Sequence, residues 1–452
     1  YFTLALHWIA YAFFVDADAF LWMMPFAVGG LAVLMAVFWA VAFAGAWLAI
    51  TRGTPPWLAV ALGLSLAELL REFVLTGFPW AAPGLLADGL GPIAQVASVV
   101  GMPGLTALVL VWGMAPGVLW VRRRHDWRSS AVPAFLLAGC VLSFMWGQNR
   151  LSQHKIETEN PRIVRLVQPN ISANDKWRTE NTRAIFAQLL QLTASESKMK
   201  PGVVVWPEAA VPFLLDEEPR ALAAIADVLQ PGQVLVTGAI RREASADDPT
   251  TARYFTSILK IDDEGHVLDH YDKWRLVPGG EFLPLAWALE PLGFRKVVNV
   301  PESFDPGQGP KAFEFSGFGA AALLICYEAI FPDRVIPQNA TVQWIINVTN
   351  DGWFGASTGP YQHAAQVRLR AIEQGLPIAR AANTGISIVY DGVGQTVAAL
   401  DLGKTGFVDA ALPNAEAATP FRRTGVWGSF IFILLLGTIA SYGELKLIKR
   451  II

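Results

Sequence analysis

Lysine is missing from the first 150 residues; the earliest in the chain is Lys155. That stretch holds 13 Asp, Glu, Lys and Arg residues, and five of them stand together in RRRHDWR (122–128). So few charges exclude an ordinary water-facing surface for the first third of the chain. Cysteine is nearly as scarce. Cys140 lies in the apolar run AVPAFLLAGCVLSFMWG, and Cys326 lies far downstream. A bond between them would join bilayer depth to the interior of another domain, so a disulfide framework is excluded and Cys326 reads as a free thiol in any compartment. Among six histidines the closest pair is HVLDH (266–270), with no third ligand of obvious type nearby. Neither a metal site nor a cofactor is expected. The formal net charge of −3 over 452 residues offers no basic face for nucleic acid. The chain also lacks an initiator Met. It opens at Tyr1 inside an apolar stretch, which reads as a chain without its true N-terminus or its earliest spans.

Long apolar runs are what the sequence has instead. Mean hydropathy is +0.38, and a span needs about 20 largely apolar residues. Candidate spans are 1–15 (clipped), 25–50, 57–74, 92–120, 131–148 and 425–443. The third is the weakest, because Glu68, Arg71 and Glu72 crowd its end, as an interfacial helix end or as a functional cluster. The basic loop VRRRHDWRSS (121–130) and the terminal ELKLIKR are cytoplasmic by the positive-inside rule. The segment between the last two spans then lies outside the cytoplasm, beside DADAF (16–20) and LTGFPWAAPGLLADG (75–89). The expected division is 1–149 transmembrane helices, 150–424 an extracytoplasmic catalytic domain, and 425–452 a last helix with a cytoplasmic tail.

Between the spans, short apolar β-rich runs alternate with helical stretches at 174–198 and 363–375. The runs are RIVRLVQ (162–168), GVVVW (202–206), QVLVTGAI (233–240), FTSILKI (255–261), AALLIC (321–326), VQWIINV (342–348) and GISIVYD (385–391). Runs apolar on both faces suggest sheets covered on both sides, hence a layered α/β domain. YDGVGQ (390–395) reads as a hairpin turn built on Asp391-Gly392. Several runs end on an abrupt polar group: Glu208 after GVVVW, Lys273 and Glu281 in HYDKWRLVPGGEF, Cys326 after AALLI, and TNDGWFG after WIINV. In α/β folds strand ends converge on one edge, where sites lie. Each residue alone has a plain structural reading: a helix start, a surface ion pair, a buried thiol.

The ordered set WPE, YDK…LVPGGEF and ICYE resembles the nitrilase, or carbon–nitrogen hydrolase, superfamily. With the spans before and the single span behind, the chain resembles the apolipoprotein N-acyltransferase family; LTGFPW, NDGWFG, GPYQH and RAANTGISIV are similar to that family too. The resemblance implies an α-helical multi-span membrane domain plus an α/β nitrilase-like αββα sandwich. It implies Glu208 as general base, Lys273 as cationic stabiliser and Cys326 as nucleophile, with Glu281, Tyr327 and Glu328 supporting them. Its candidate substrate-binding residues are Trp177, near the acyl site, and Trp353, Phe354, Phe78 and Trp80, on mobile, lipid-facing loops. The implied partners are a phospholipid acyl donor, with phosphatidylethanolamine expected, and diacylglyceryl apolipoproteins. The implied setting is the bacterial inner membrane with the catalytic domain on the periplasmic side, as a monomer. TND departs from the SND of the family pattern, and DGWFG from its DAWFG.

The chemistry stands without the resemblance. A free thiol has a pKa of about 8.5, so at neutral pH it needs a base to take its proton and a cation to steady the thiolate and the later oxyanion. Glu208 and Lys273 fit those roles, and backbone N–H groups past Cys326 would complete the oxyanion site. Three rivals stay open. One is a membrane-tethered amidase using the same triad on water. Another is a Cys326–His363–Asn383 thiol enzyme. The last is a non-catalytic transporter or scaffold.

Overall fold

The computed structural model describes residues 1–122, 131–154, 162–244, 252–295, 304–338 and 340–448. Helices Met24–Thr51, Pro56–Leu70, Ala97–Arg122 and Ala131–Gln153 precede the first strand. Helix Pro420–Ile448 follows the last strand, with a break at Gly425, and returns to pack on Ala97–Arg122. Ser429 Oγ donates to the Val100 carbonyl there at 2.6 Å. Met24–Thr51 contains no charged residue. Among the described residues two helices are long and apolar enough to cross a bilayer, Ala17–Thr51 and Pro83–Trp120, and Pro56–Leu70 is a shorter apolar one. Val33, Val41 and Trp47 on the first helix, Phe135 and Met145 on Ala131–Gln153, and Trp427 on the last are exposed. From 123 onward the basic loop lies outside the described residues.

The first fifteen residues depart from the expected clipped span. They form a helical turn, Phe2–Ala5, then a 3₁₀ helix, His7–Phe14. Phe2, Leu6 and Trp8 are buried against Trp80, Tyr327 and Phe331, so packing onto the downstream domain sets their shape. The charges at the end of Pro56–Leu70 also face protein. Glu68, Arg71 and Glu72 are buried. Arg71 pairs with Glu68 and donates to the Trp80 carbonyl at 3.2 Å, while Trp39 Nε1 donates to Glu68 at 2.6 Å.

The downstream domain is a two-sheet sandwich. One sheet has the order β12-β1-β2-β3-β4-β5: Gly406–Leu412, Arg162–Gln168, Val203–Trp206, Val234–Ala244, Ala252–Ile261 and Val267–Asp272. The other runs β11-β10-β9-β8-β7-β6: Thr396–Leu400, Ser387–Tyr390, Ile378–Ala382, Trp344–Thr349, Gly319–Ile325 and Ala312–Phe315. The two halves repeat one plan, with three central parallel strands and antiparallel strands outside. Strand alternation explains the layers. Val164, Leu166, Val205 and Val236 face inward onto Leu323, Ile325, Ile346 and Val348. The alternate residues Val167, Val204 and Leu235 face outward onto Ile185 and Leu189 of helix Thr182–Ala194 and Ile225 of Pro219–Ala226. Leu324, Ile345 and Ile378 cover Val367 and Ala371 of helix Gly359–Gln374. The layers are therefore helix, sheet, sheet, helix. Chain entry and exit share a corner: β1 and β12 are antiparallel neighbours, with Arg162 opposite Leu412.

The β10–β11 hairpin forms at YDGVGQ, but the left-handed residue is Gly394 (φ 75°), not Gly392. Gly394 N–H donates to the Asp391 carbonyl, and the Asp391 carboxylate caps the N–H groups of Val393 and Gln395.

Candidate active site

Three strand ends deliver the site. β2 ends at Trp206, and Pro207 then stops the strand and presents Glu208. Glu208 sits close because β3 carries Gly238 opposite it. A Cβ there would lie 2.5 Å from Glu208 Cα and from the Pro207 carbonyl oxygen. Gly238→Ala is therefore expected to shift Glu208 and cut turnover by about 10²-fold, as misplacement near 1 Å can; turnover assays set against an unchanged melting temperature check this. β5 leads into Lys273, whose N–H donates to the Thr256 carbonyl at 2.8 Å. β7 leads into Cys326, held at φ 45°, a left-handed geometry that a non-glycine residue adopts at a cost.

The ion cluster is compact. Lys273 Nζ is 3.2 Å from Glu208 Oε1 and 2.8 Å from Glu281 Oε1, and Lys273 is 1% exposed. Thr256 Oγ1 and the Val277 N–H donate to Glu281 at 3.3 and 2.8 Å. Burial alone would lower the Lys273 pKa, but the charges of Glu208 and Glu281 outweigh it and hold the ammonium above the lysine range. Burial, then the charge on Glu208, push the Cys326 thiol up; Lys273 and a hydrogen bond with Thr349 pull it back only in part. Glu328 supports the turn from below. It accepts from Ile325 N–H at 2.7 Å, Trp274 N–H at 2.9 Å and the Tyr271 hydroxyl at 2.8 Å. Burial still pushes its carboxyl up to about 7.

Thus Glu208, Lys273, Glu281, Cys326 and Glu328 come together as expected from their strand ends. Tyr327 joins them differently. Its hydroxyl donates to the Gly77 carbonyl at 2.7 Å, and its ring stacks on Phe78 and meets Phe331 edge-on. Phe78, Trp80 and Phe354 do form a wall, but Trp80 is 2% exposed and so is no lipid-facing loop residue. Its indole N–H donates to Gln362 at 2.7 Å, a partner shared with Trp8 at 3.1 Å. Trp353 is half-buried and makes none of that wall's ring contacts. Trp177 is 40% exposed and stands outside the wall.

The Cys–His–Asn arrangement does not form. His363 Nε2 meets the Cys326 carbonyl, not its sulfur, at 3.1 Å, and Nδ1 meets Asp351 at 2.8 Å. Asp351 is held by Arg380 at 2.7 Å. Burial, then Arg380, lower the His363 pKa. Asn383 pairs instead with Ile171 and Asn350. His266 and His270 stand exposed beside Asp262 and Asp272. Sequence reasoning missed Tyr271 and Lys176. Alternation along β5 would have found the first, because Tyr271 shares a face with Lys273. Lys176 is 1% exposed, and its Nζ donates to the Glu208 carbonyl at 3.2 Å. Its only local signal is the i,i+3 spacing from buried Ala173.

A two-sheet sandwich with Glu, Lys and Cys at converging strand ends defines the carbon–nitrogen hydrolase class, and the Carbon-nitrogen hydrolase family model matches residues 163–420. The model for the apolipoprotein N-acyltransferase N-terminal domain matches residues 1–115. A protein named apolipoprotein N-acyltransferase from Brucella melitensis is 41% identical over 454 residues, covering 100% of this chain and 84% of the relative. Its namesake from Bradyrhizobium diazoefficiens is 42% identical, covering 91% and 78%. The chain belongs to the apolipoprotein N-acyltransferase family. Among solved structures, an amidase from Nesterenkonia sp. is similar with a TM-score of 0.41 at 18% identity, covering 57% of this chain and 93% of that one.

Proposed function

We propose that this protein moves a fatty acyl chain from a phospholipid, with phosphatidylethanolamine as the expected donor, to the α-amine of a diacylglyceryl-cysteine apolipoprotein through a thioester on Cys326. The observation that carries this reading is the buried Glu208–Lys273–Glu281 cluster beside a left-handed Cys326, next to an aromatic wall supplied partly by the helical region. Glu208 takes the thiol proton as Sγ attacks the ester carbonyl carbon. Lys273 and the backbone N–H groups following Cys326 would steady the oxyanion. The ester C–O bond then breaks, and the departing lysophospholipid oxygen takes the proton back from Glu208. In the second step the amine attacks the thioester carbonyl and gives its proton to Glu208. The C–S bond breaks, and the returning thiolate recovers that proton.

The setting follows the same reading: a bacterial inner membrane, crossed several times, with the sandwich on the periplasmic side as a monomer. Exposed apolar side chains on helices Met24–Thr51, Ala131–Gln153 and Pro420–Ile448 support it. The test is intact mass after incubation with phosphatidylethanolamine in detergent. A hydroxylamine-labile acyl adduct is expected on wild type, absent from Cys326→Ala and discharged by a diacylglyceryl lipopeptide. A folded wild-type protein that takes up no acyl group would overturn the reading.

A further inference from the structure

The charges around the nucleophile do not balance without one more residue. Glu208 and Glu281 both lie within 3.2 Å of the same Lys273 ammonium. Two carboxylates against one cation leave a buried centre negative, and a negative centre opposes ionisation of the neighbouring thiol. Asp351 adds to that opposition at Cys326, although Arg380 answers its charge from behind and His363 hydrogen-bonds it. Glu328 lies beneath the same turn.

Lys176 is the unassigned cation. Its ammonium is buried, and among the described hydrogen bonds and ion pairs its one polar partner is the main-chain carbonyl of Glu208, at 3.2 Å. The Trp177 ring lies 5.8 Å from it. A buried ammonium with a single neutral acceptor is costly unless a nearby negative field holds it, and here that field comes from Glu208. The placement is also built rather than incidental. Ser172 caps the turn Ala173–Lys176, accepting from Asp175 N–H. One residue earlier, Ile171 is clamped through both its N–H and its carbonyl by Asn383, at 3.0 and 2.7 Å.

We propose that Lys176 is a positioning cation of the catalytic centre: it balances the second carboxylate through Glu208 and so eases ionisation of Cys326 in the thioester-forming step. The inference rests on the functional reading above, in which Glu208 is the base. Burial lowers the Lys176 ammonium to about 8, against the pull of Glu208. As pH rises through that value the balancing charge is lost. Thioester formation in wild type therefore carries a falling limb near pH 8 that a lysine-free variant lacks.

The experiment compares full-length wild type, Lys176→Met and Lys176→Arg in detergent, all in a Cys140→Ser background so that one thiol remains. Iodoacetamide alkylation of Cys326 is followed against pH, with thioester formation from phosphatidylethanolamine followed by mass. Lys176→Met is expected to move the alkylation profile upward by about 1–3 pH units. It is expected to slow thioester formation at neutral pH by at least about tenfold, with an unchanged melting temperature and with rate largely restored by Lys176→Arg. An unmoved profile in a folded Lys176→Met protein overturns the inference. If that variant fails to fold, Lys176→Arg decides: a cation that keeps its proton should remove the falling limb that wild type shows above neutral pH, and an identical pH profile in the two proteins counts against Lys176. Wild type that never acquires an acyl group defeats the functional reading instead; wild type that acylates alongside an unaltered Lys176→Met defeats only the role of Lys176.

Discussion

Cys326→Ser is expected to transfer acyl chains at least about 10⁴-fold more slowly than wild type while keeping its melting temperature. The scale is that of removing a nucleophile whose loss disables the whole catalytic unit. Serine fits the same left-handed turn and keeps the carbonyl that meets His363, so the fold loses little. The chemistry loses far more. A thiol pushed up by burial and by Glu208 is still within reach of a carboxylate acting in concert with the attack, but an aliphatic hydroxyl is much less acidic. The oxygen ester would also be a poorer acyl donor to an amine than the thioester. The measurement is the initial rate of lipopeptide N-acylation beside a thermal melt. A serine variant within tenfold of wild type would remove Cys326 from the nucleophile's role.

Lys273→Met is expected to be the most damaging single change to both activity and stability. It removes the shared partner of Glu208 and Glu281 and leaves two carboxylates buried in its place. Stranding a buried charge in this way typically costs about 3–5 kcal/mol. The pH dependence separates this cause from simple loss of packing. In wild type the folded Lys273 pKa is raised, so its contribution is fully present at neutral pH and is lost only above the ordinary lysine range, as pH rises through the folded value. In the variant two carboxylates stay buried without their counter-ion, a penalty present only while they are ionised. The gap in melting temperature between the two proteins should be wider at pH 8 than at pH 5. A gap that does not change with pH would show that the ion cluster is not what Lys273 holds together.

The central strands were legible because burial on both faces writes continuous apolar runs. RIVRLVQ coincides with β1, and AALLI and WIINV fall within β7 and β8. The edge strands β6, β11 and β12 were not. Their half-exposed faces carry mixed residues, and TVAAL of β11 has the composition of a helix. β9 was hidden for another reason. IARAA places Arg380 in the middle of a buried strand, where only its bonds to Asp351 and Asn347 make it tolerable, and those partners lie far apart in sequence. The polar strand ends announced Glu208, Lys273 and Cys326. Nothing local announced that Gly77, Trp80 and Trp8 would close against Tyr327, because that contact spans the boundary between two differently composed regions. Nor did the ionisable end of Pro56–Leu70 show in sequence what it holds: Arg71 grips the backbone of the Trp80 loop.

The shared corner at Arg162 and Leu412 has a mechanical consequence. Both connections to the helical region leave from neighbouring strands, so the covalent attachment of the sandwich resembles a door hung from one post. A single post fixes position but leaves swing. That swing is checked by Arg368 on Asp88 and by the Met102 N–H on Glu373, and next to the thiol by a latch in which the Tyr327 hydroxyl reaches the Gly77 carbonyl and Gln362 takes the indole protons of Trp8 and Trp80. The catching residue of that latch is the immediate neighbour of the Cys326 thiol. The orientation of the sulfur is therefore a joint property of two regions of the chain, and the sandwich in isolation would keep its charges and its turn but not its aim.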